Sequence, residues 1–237
     1  LGNPNSGTSM PRPPIPATLT RSVEDYLKAI YHLSLCGAPA GTTEIAHLLD
    51  LAPASVTGMV KRLSEQGLLE HVPYKGVELT PGGRRAALRM VRRHRILESY
   101  LVAFLGYTWD AVHEEAERLE HAVSDALIER MATALGNPSV DPHGDPIPAP
   151  DGTMVELVYT PLSEVPVGER VEVRRVETGQ ADRLRFLADH GLVPGAAVVV
   201  LDRQPFGGPM RVRAPGHDQL LGAQLAGVLL CARAEAR

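Results

Sequence analysis

The sequence predicts a chain that is mainly α-helical with a C-terminal β domain. Three observations carry this reading. Apolar residues recur at three- and four-residue spacing from about residue 21 to residue 135. A Pro- and Gly-rich stretch, a linker or an ordered loop, then interrupts the pattern at 136–153. Beyond it, short Val- and Leu-rich runs separated by Gly and Pro point to strands.

The elements follow in order. Residues 1–18 are rich in Pro, Gly, Ser and Asn and lack the basic start and apolar core of a signal peptide, so a disordered tail is expected. Residues 21–35 form an amphipathic helix through Val23, Tyr26, Leu27, Ile30, Tyr31 and Leu33. Thr43 opens a short second helix reaching about Leu49. The turn Leu51-Ala-Pro-Ala-Ser55 leads into a third helix starting near Pro53, a favoured first-turn position for proline, and ending at Gly67. The runs Leu68–Val72 and Gly76–Leu79, joined at Pro73-Tyr-Lys-Gly76, read as a hairpin. A long helix is expected from about Arg84 to Leu105 and another, unbroken, from about Trp109 to Leu135. Strands are expected at 170–176, 197–202 and 209–213, with a short helix within 218–227, together making a small β-barrel.

Helix, short helix, turn, helix and hairpin in succession make a winged helix-turn-helix, assigned to residues 19–83. In such a unit the second helix of the pair enters the major groove of duplex DNA by its N-terminal end. The residues placed there are Pro53, Ala54, Ser55, Thr57 and Gly58, small enough for close backbone approach. Lys61 and Arg62, one turn on, suit phosphate contacts, as does Lys75 at the hairpin tip; Thr43 is a further candidate contact. Charge distribution agrees. The net charge is −4, yet residues 1–95 carry +5 and residues 96–237 carry −9.

A second constellation points to metal. His113, Glu117 and His121 fall at i, i+4 and i+8, on one helix face, with Glu120 at its edge. The preceding helix carries His94 and Glu98, also four apart. Two antiparallel helices can bring these imidazoles and carboxylates together as a transition-metal ligand set. The sequence holds no HExxH motif, nucleophile elbow or glycine-rich phosphate loop, which argues against an enzyme and a small-molecule substrate. No apolar run is long enough to span a membrane. The two cysteines, Cys36 and Cys231, form no CxxC pair, which fits a reducing cytoplasm. The competing reading is a winged-helix regulator of a non-metal ligand, in which the His and Glu residues are structural.

Over residues 20–235 the chain resembles the metal-dependent repressors typified by the diphtheria toxin repressor and their manganese-responsive relatives. The resemblance rests on Glu24-Asp-Tyr-Leu27, Ser55-Val-Thr-Gly-Met-Val60, Leu79-Thr-Pro-Gly-Gly83, Arg92-Arg-His-Arg95, Glu117-Arg-Leu-Glu-His121 and Asp141-Pro-His-Gly-Asp-Pro-Ile-Pro148. It implies a homodimer on a palindromic operator, a helical metal-binding and dimerisation domain at 84–136, a linker at 137–153 and an SH3-like domain at 154–237. It also implies one metal site from Asp25, Glu117, Glu120 and His121, and another from His94, Glu98 and His113, with Glu177 and Gln180 as ancillary donors. Carboxylates at positions 25 and 117 are the manganese-type choice, implying Mn(II), then Fe(II), with Zn, Co or Cd substituting in vitro. Manganese-type members carry a glutamate where this chain has Lys28, so two separate sites are implied instead of a paired one. The function implied is repression of manganese or iron homeostasis genes, with metal linking the first helix to the dimerisation helices.

Overall fold

In a computed structural model, the structure describes residues 19–155 and 157–233. The tail expected at 1–18 lies outside them. The chain divides into two compact units. One runs up to Val91 and includes Pro150–Thr153; the other comprises Arg92–Ala149 and the chain from Met154 onward.

The first unit holds α1 (Arg21–Ser34), α2 (Thr42–Leu48), α3 (Pro53–Glu65), the strands β1 (Leu69–Val72) and β2 (Gly76–Leu79), and the start of α4 (Pro81–Leu105). Helix α1 buries Val23, Tyr26, Leu27, Ile30 and Tyr31, the three-to-four spacing of a single apolar face. Pro53 sits in the first turn of α3, which turns Val56, Val60 and Leu63 inward. β1 and β2 pair antiparallel from Leu69↔Leu79 to Val72↔Gly76, and an Ala40↔Val77 bridge ties this wing to the helices. Helix α4 starts at Pro81, earlier than the expected Arg84. The Thr80 hydroxyl accepts from the Gly83 N–H at 3.1 Å and donates to the Gly67 carbonyl at 2.7 Å, which caps the helix and pins it beneath the wing.

In the second unit, α4 continues to Leu105. The single helix expected over 109–135 is two, α5 (Val112–Leu119) and α6 (Asp125–Ala134). Ser124 ends the continuity: it is extended, and its hydroxyl accepts from the Leu127 N–H at 3.3 Å as the N-cap of α6. Ile96, Leu97, Ala116, Ile128, Ala132 and Ile147 form the core of these helices. Of the stretch expected at 136–153 as a linker or ordered loop, residues 137–149 form an ordered loop. Asp141 Oδ1 accepts from the N–H groups of His143 (2.8 Å) and Asp145 (2.9 Å), and Ile147 N–H donates to the Ser139 carbonyl (2.9 Å).

The C-terminal part contains β3 (Thr160–Pro161), a 3-10 turn (Leu162–Glu164), β4 (Arg170–Val176), α7 (Ala181–Asp189), β5 (Ala197–Arg203), β6 (Met210–Ala214), β7 (His217–Leu221), α8 (Ala223–Val228) and β8 (Leu229–Arg233). Of the stretch 218–227, expected to hold a short helix, residues 218–221 belong to β7, because His217–Leu221 pair with β6 from Ala214↔His217 to Met210↔Leu221; the helix is confined to 223–228. The strands order β3-β8-β4-β5-β6-β7, all antiparallel, as an open sheet and not the expected closed barrel. The β3 edge is two residues long and ends in proline, which has no N–H with which to extend the ladder. The inner face, including Val171, Val173, Val198, Val200, Val212 and Cys231, packs with Leu184 and Leu187 of α7. Among the described residues no helix is long and apolar enough to cross a membrane.

Candidate metal centre and nucleic-acid interface

The four-residue spacing of His94 and Glu98 places both on one face of α4, and α5 presents His113 and Glu117 in the same way. Helix α5 ends just before Glu120, whose side chain is fully buried. His94 is the hub. Its Nδ1 lies 2.6 Å from Glu120 Oε2 and 3.7 Å from Glu117 Oε1. Its Nε2 lies 3.0 Å from both Glu98 Oε1 and His113 Nδ1. His113 Nδ1 is 3.2 Å from Glu98 Oε1, and its Nε2 is 3.8 Å from Glu117 Oε1. The two rings meet edge to face at 4.8 Å. One ligand atom each from His94, His113 and Glu117 lies within 4.8 Å of the others.

A second group shares Glu98. Glu98, Asp141 and His143 are all buried, and one ligand atom from each again falls within 4.8 Å of the others. Glu98 therefore faces His94 and His113 through Oε1, and His143 Nδ1 through Oε2 at 3.8 Å. Burial alone would push the Glu98 carboxyl up. Hydrogen bonds to His113 and His94, with the positive charge of His94 and His143, outweigh it and hold the group well below the usual carboxylate range. Asp141 is pushed the other way, up to about 7, first by burial and then by the charges of Asp145 and Glu98; Arg95 and His143 only partly offset this. Buried carboxylates crowded with imidazoles are a donor set that a divalent cation fits: it would offset the anions and take the imidazole lone pairs.

The residues expected at the metal sites distribute as follows. His94, Glu98, His113, Glu117 and Glu120 come together in the second unit. His121 follows Glu120 there, 3.5 Å from it, while half-buried Asp25 lies on α1 of the first unit. Glu177 and Gln180 are exposed. Glu177 pairs with Arg175 at 3.4 Å and stands outside the converging His, Asp and Glu groups among the described residues; Gln180 precedes α7 as its N-cap. Sequence reasoning missed Asp141 and His143 as site residues. Their signal was the Asp-x-His-x-Asp pattern at 141–145, within the Pro- and Gly-rich stretch.

On the first unit, Thr43, Pro53, Ala54, Ser55, Thr57, Gly58, Lys61, Arg62 and Lys75 are all exposed or half-exposed. The Thr57 hydroxyl donates to the Pro53 carbonyl at 3.0 Å, so toward a partner it offers its acceptor lone pairs. Tyr74, at the wing tip beside Lys75, is fully exposed with φ of 64°. An exposed helix face with a wing, in one chain with clustered histidines and carboxylates, is the layout of a metal-responsive DNA-binding regulator.

Comparison with known proteins makes the assignment specific. Residues 18–77 match the N-terminal DNA binding domain of the iron dependent repressors, and 80–149 match their metal binding and dimerisation domain. Residues 160–232 match the FeoA domain. The chain is 35% identical over 218 residues to the iron-dependent repressor IdeR of Mycobacterium tuberculosis, covering 85% of this chain and 92% of that protein. It is 31% identical over 198 residues to the diphtheria toxin repressor of Corynebacterium diphtheriae, covering 78% and 86%. A solved manganese-dependent transcriptional repressor in complex with manganese superposes with a TM-score of 0.81 at 37% identity, over 90% of this chain and all of that one. The chain belongs to the iron-dependent repressor family of transcriptional regulators.

Proposed function

We propose that the protein is a cytoplasmic, metal-activated repressor that binds a palindromic operator as a homodimer, with Mn(II) as its first-choice metal and Fe(II) as the second. Zn, Co and Cd would substitute in vitro. The observation that carries the reading is the convergence of buried His94, Glu98 and Glu120 with exposed His113 and half-buried Glu117. The similar solved repressor supports the choice of metal, since it is manganese-dependent and holds manganese. Exposed Phe104, Leu105, Tyr107 and Leu127 in the helical region are apolar surface that a second copy would cover.

In this reading Asp25, Glu117, Glu120 and His121 hold one cation, and His94, Glu98 and His113 another. Glu98, Asp141 and His143 hold a further one. The bound cation supplies the positive charge that lets carboxylates cluster. Asp25 would bring a ligand from the DNA-binding unit to ligands of the helical unit, so metal would favour one arrangement of the recognition helices. That is differential binding to two states, all a ligand can use to shift an equilibrium. Ser55 and Thr57 would then meet base edges, and Lys61, Arg62 and Lys75 the phosphates. The test is retention of genomic DNA fragments by the purified protein with excess Mn(II) or with chelator. Discrete fragments held only with Mn(II) are the expected result; metal-independent binding would refute the switch.

A further inference from the structure

We infer that Trp109 is a positioning residue for the Glu98–Asp141–His143 group, one that couples cation binding there to docking of the C-terminal sheet. This rests on reading those three side chains as cation ligands. Trp109 lies between α4 and α5, and its ring does two things at once. It packs against the core of the C-terminal sheet, and it stacks on the His143 imidazole with centroids 5.7 Å apart and planes 24° apart. Its main-chain carbonyl lies 2.8 Å from His143 Nε2. A carbonyl can only accept, so Nε2 carries the hydrogen. Nδ1, 3.8 Å from Glu98 Oε2, is then the nitrogen whose lone pair serves a cation.

The C-terminal part fixes the same loop from its other side. The Val176 N–H on β4 donates to the His143 carbonyl at 2.9 Å. Arg175 Nε pairs with Asp145 Oδ1 at 2.8 Å. Gly144, at φ of 86°, passes so close to β4 that a Cβ there would lie 1.9 Å from the Arg174 carbonyl oxygen. Next to Trp109, Asp110 pairs with Arg185 of α7 at 3.3 Å. His143 thus sits between Trp109, which packs on the sheet core, and β4, which belongs to the sheet. By linkage, a cation on His143 Nδ1 strengthens docking, and docking strengthens cation binding. The buried indole N–H of Trp109 has no hydrogen-bond acceptor among the described residues, so phenylalanine, which lacks that donor, is a suitable control.

The test uses the full chain, with H143A, W109A and W109F as variants and Mn(II) as the probe. Calorimetric titration gives the classes of bound ion, and hydrogen exchange reads the Val176 amide with and without Mn(II). H143A should remove one class. W109A should weaken that same class about 10–100-fold, the usual effect of losing a residue that orients a ligand, and leave the remaining ions bound as in the wild type. It should also abolish Mn(II)-induced protection of Val176, and W109F should restore most of both. If H143A loses a class and W109A binds every ion as the wild type does, the role of Trp109 is overturned and the site stands. If H143A loses nothing, the site reading falls and the inference with it. Should W109A not fold, the wild type decides, because no change in Val176 protection on adding Mn(II) overturns the coupling.

Discussion

Glu98→Gln isolates what a single carboxylate does for both groups. The substitution keeps shape and an accepting oxygen but removes the charge. Glu98 is 2% exposed and reaches His94 at 3.0 Å, His113 at 3.2 Å and His143 at 3.8 Å, so no water substitutes easily for it. Without metal, the loss is that of charge-assisted hydrogen bonding, about 1.5–3 kcal/mol, partly recovered because the amide oxygen still accepts. The larger effect is on metal. In wild type, Mn(II) at one hundred times its Kd stabilises the fold by about 2.7 kcal/mol. If the charge loss weakens binding about 100-fold, the same Mn(II) concentration stabilises the variant by only about 0.4 kcal/mol. For a chain of this length the Mn(II)-induced rise in Tm should shrink from about 5–11 °C to about 1–2 °C. Differential scanning calorimetry with and without Mn(II) measures it. A variant that folds and keeps the full wild-type rise would refute Glu98 as a shared ligand.

Three other outcomes are expected. Replacing Lys61 or Arg62 with Ala should weaken binding to all DNA sequences alike and lower the slope of log affinity against log salt by about 0.9 for each phosphate no longer neutralised, read by fluorescence anisotropy across a salt series. Gly144→Ala should destabilise the second unit by at least about 1–3 kcal/mol of backbone strain, with the close approach to the Arg174 carbonyl adding to it; thermal melts check this. Glu129 is held below the usual carboxylate range chiefly by its hydrogen bond with Arg92, which is bidentate at 2.7 and 2.8 Å. A depressed folded value means the stabilisation is present above the unfolded glutamate value of about 4.3 and is lost as pH falls through the folded one. Glu129 is 44% exposed, so Glu129→Gln should cost only about 0.5–1 kcal/mol near neutrality, a difference from wild type that closes in acid melts.

What the sequence made legible follows its periodicity. The apolar face of α1, the proline opening α3 and the Pro73–Gly76 turn each act through local chemistry, and the helices and strands up to Leu79 fall within a residue or two of their expected bounds. The His94/Glu98 and His113/Glu117 pairs were legible for the same reason, as four-residue spacing is a fixed property of a helix. The misses are mostly non-local. The break at Ser124 was available as a cap signal, Ser followed by Asp125, but Leu119, Val123 and Leu127 continue an apolar pattern across it. β7 has a polar, weakly alternating sequence, and its pairing with β6 decided its state. Asp141 and His143 are held by an Asx turn and by interactions with α4 and β4, which no periodicity announces.

Among the described residues the clusters hold nitrogen and oxygen donors and no sulfur. Cys36 is exposed just after α1. Cys231 is buried in the sheet core, where burial pushes its thiol up to about 12. Neither joins a converging His, Asp or Glu group among the described residues. The donors are imidazole nitrogens and carboxylate oxygens, and such a set serves Mn(II) better than a thiolate would, whereas Zn(II) and Cd(II) gain more from sulfur. Glu117 is the position at which to exchange the two chemistries. It is half-exposed on α5, with Oε1 3.7 Å from His94 Nδ1 and 3.8 Å from His113 Nε2. Glu117→Cys should therefore leave the fold intact and move the ratio of Zn(II) to Mn(II) affinity toward zinc. A change of about tenfold, worth about 1.4 kcal/mol, is large enough to resolve in competition titrations. Unchanged relative affinities in a variant that still binds metal would remove Glu117 from the ligand set and, with it, the argument that oxygen at this position selects manganese.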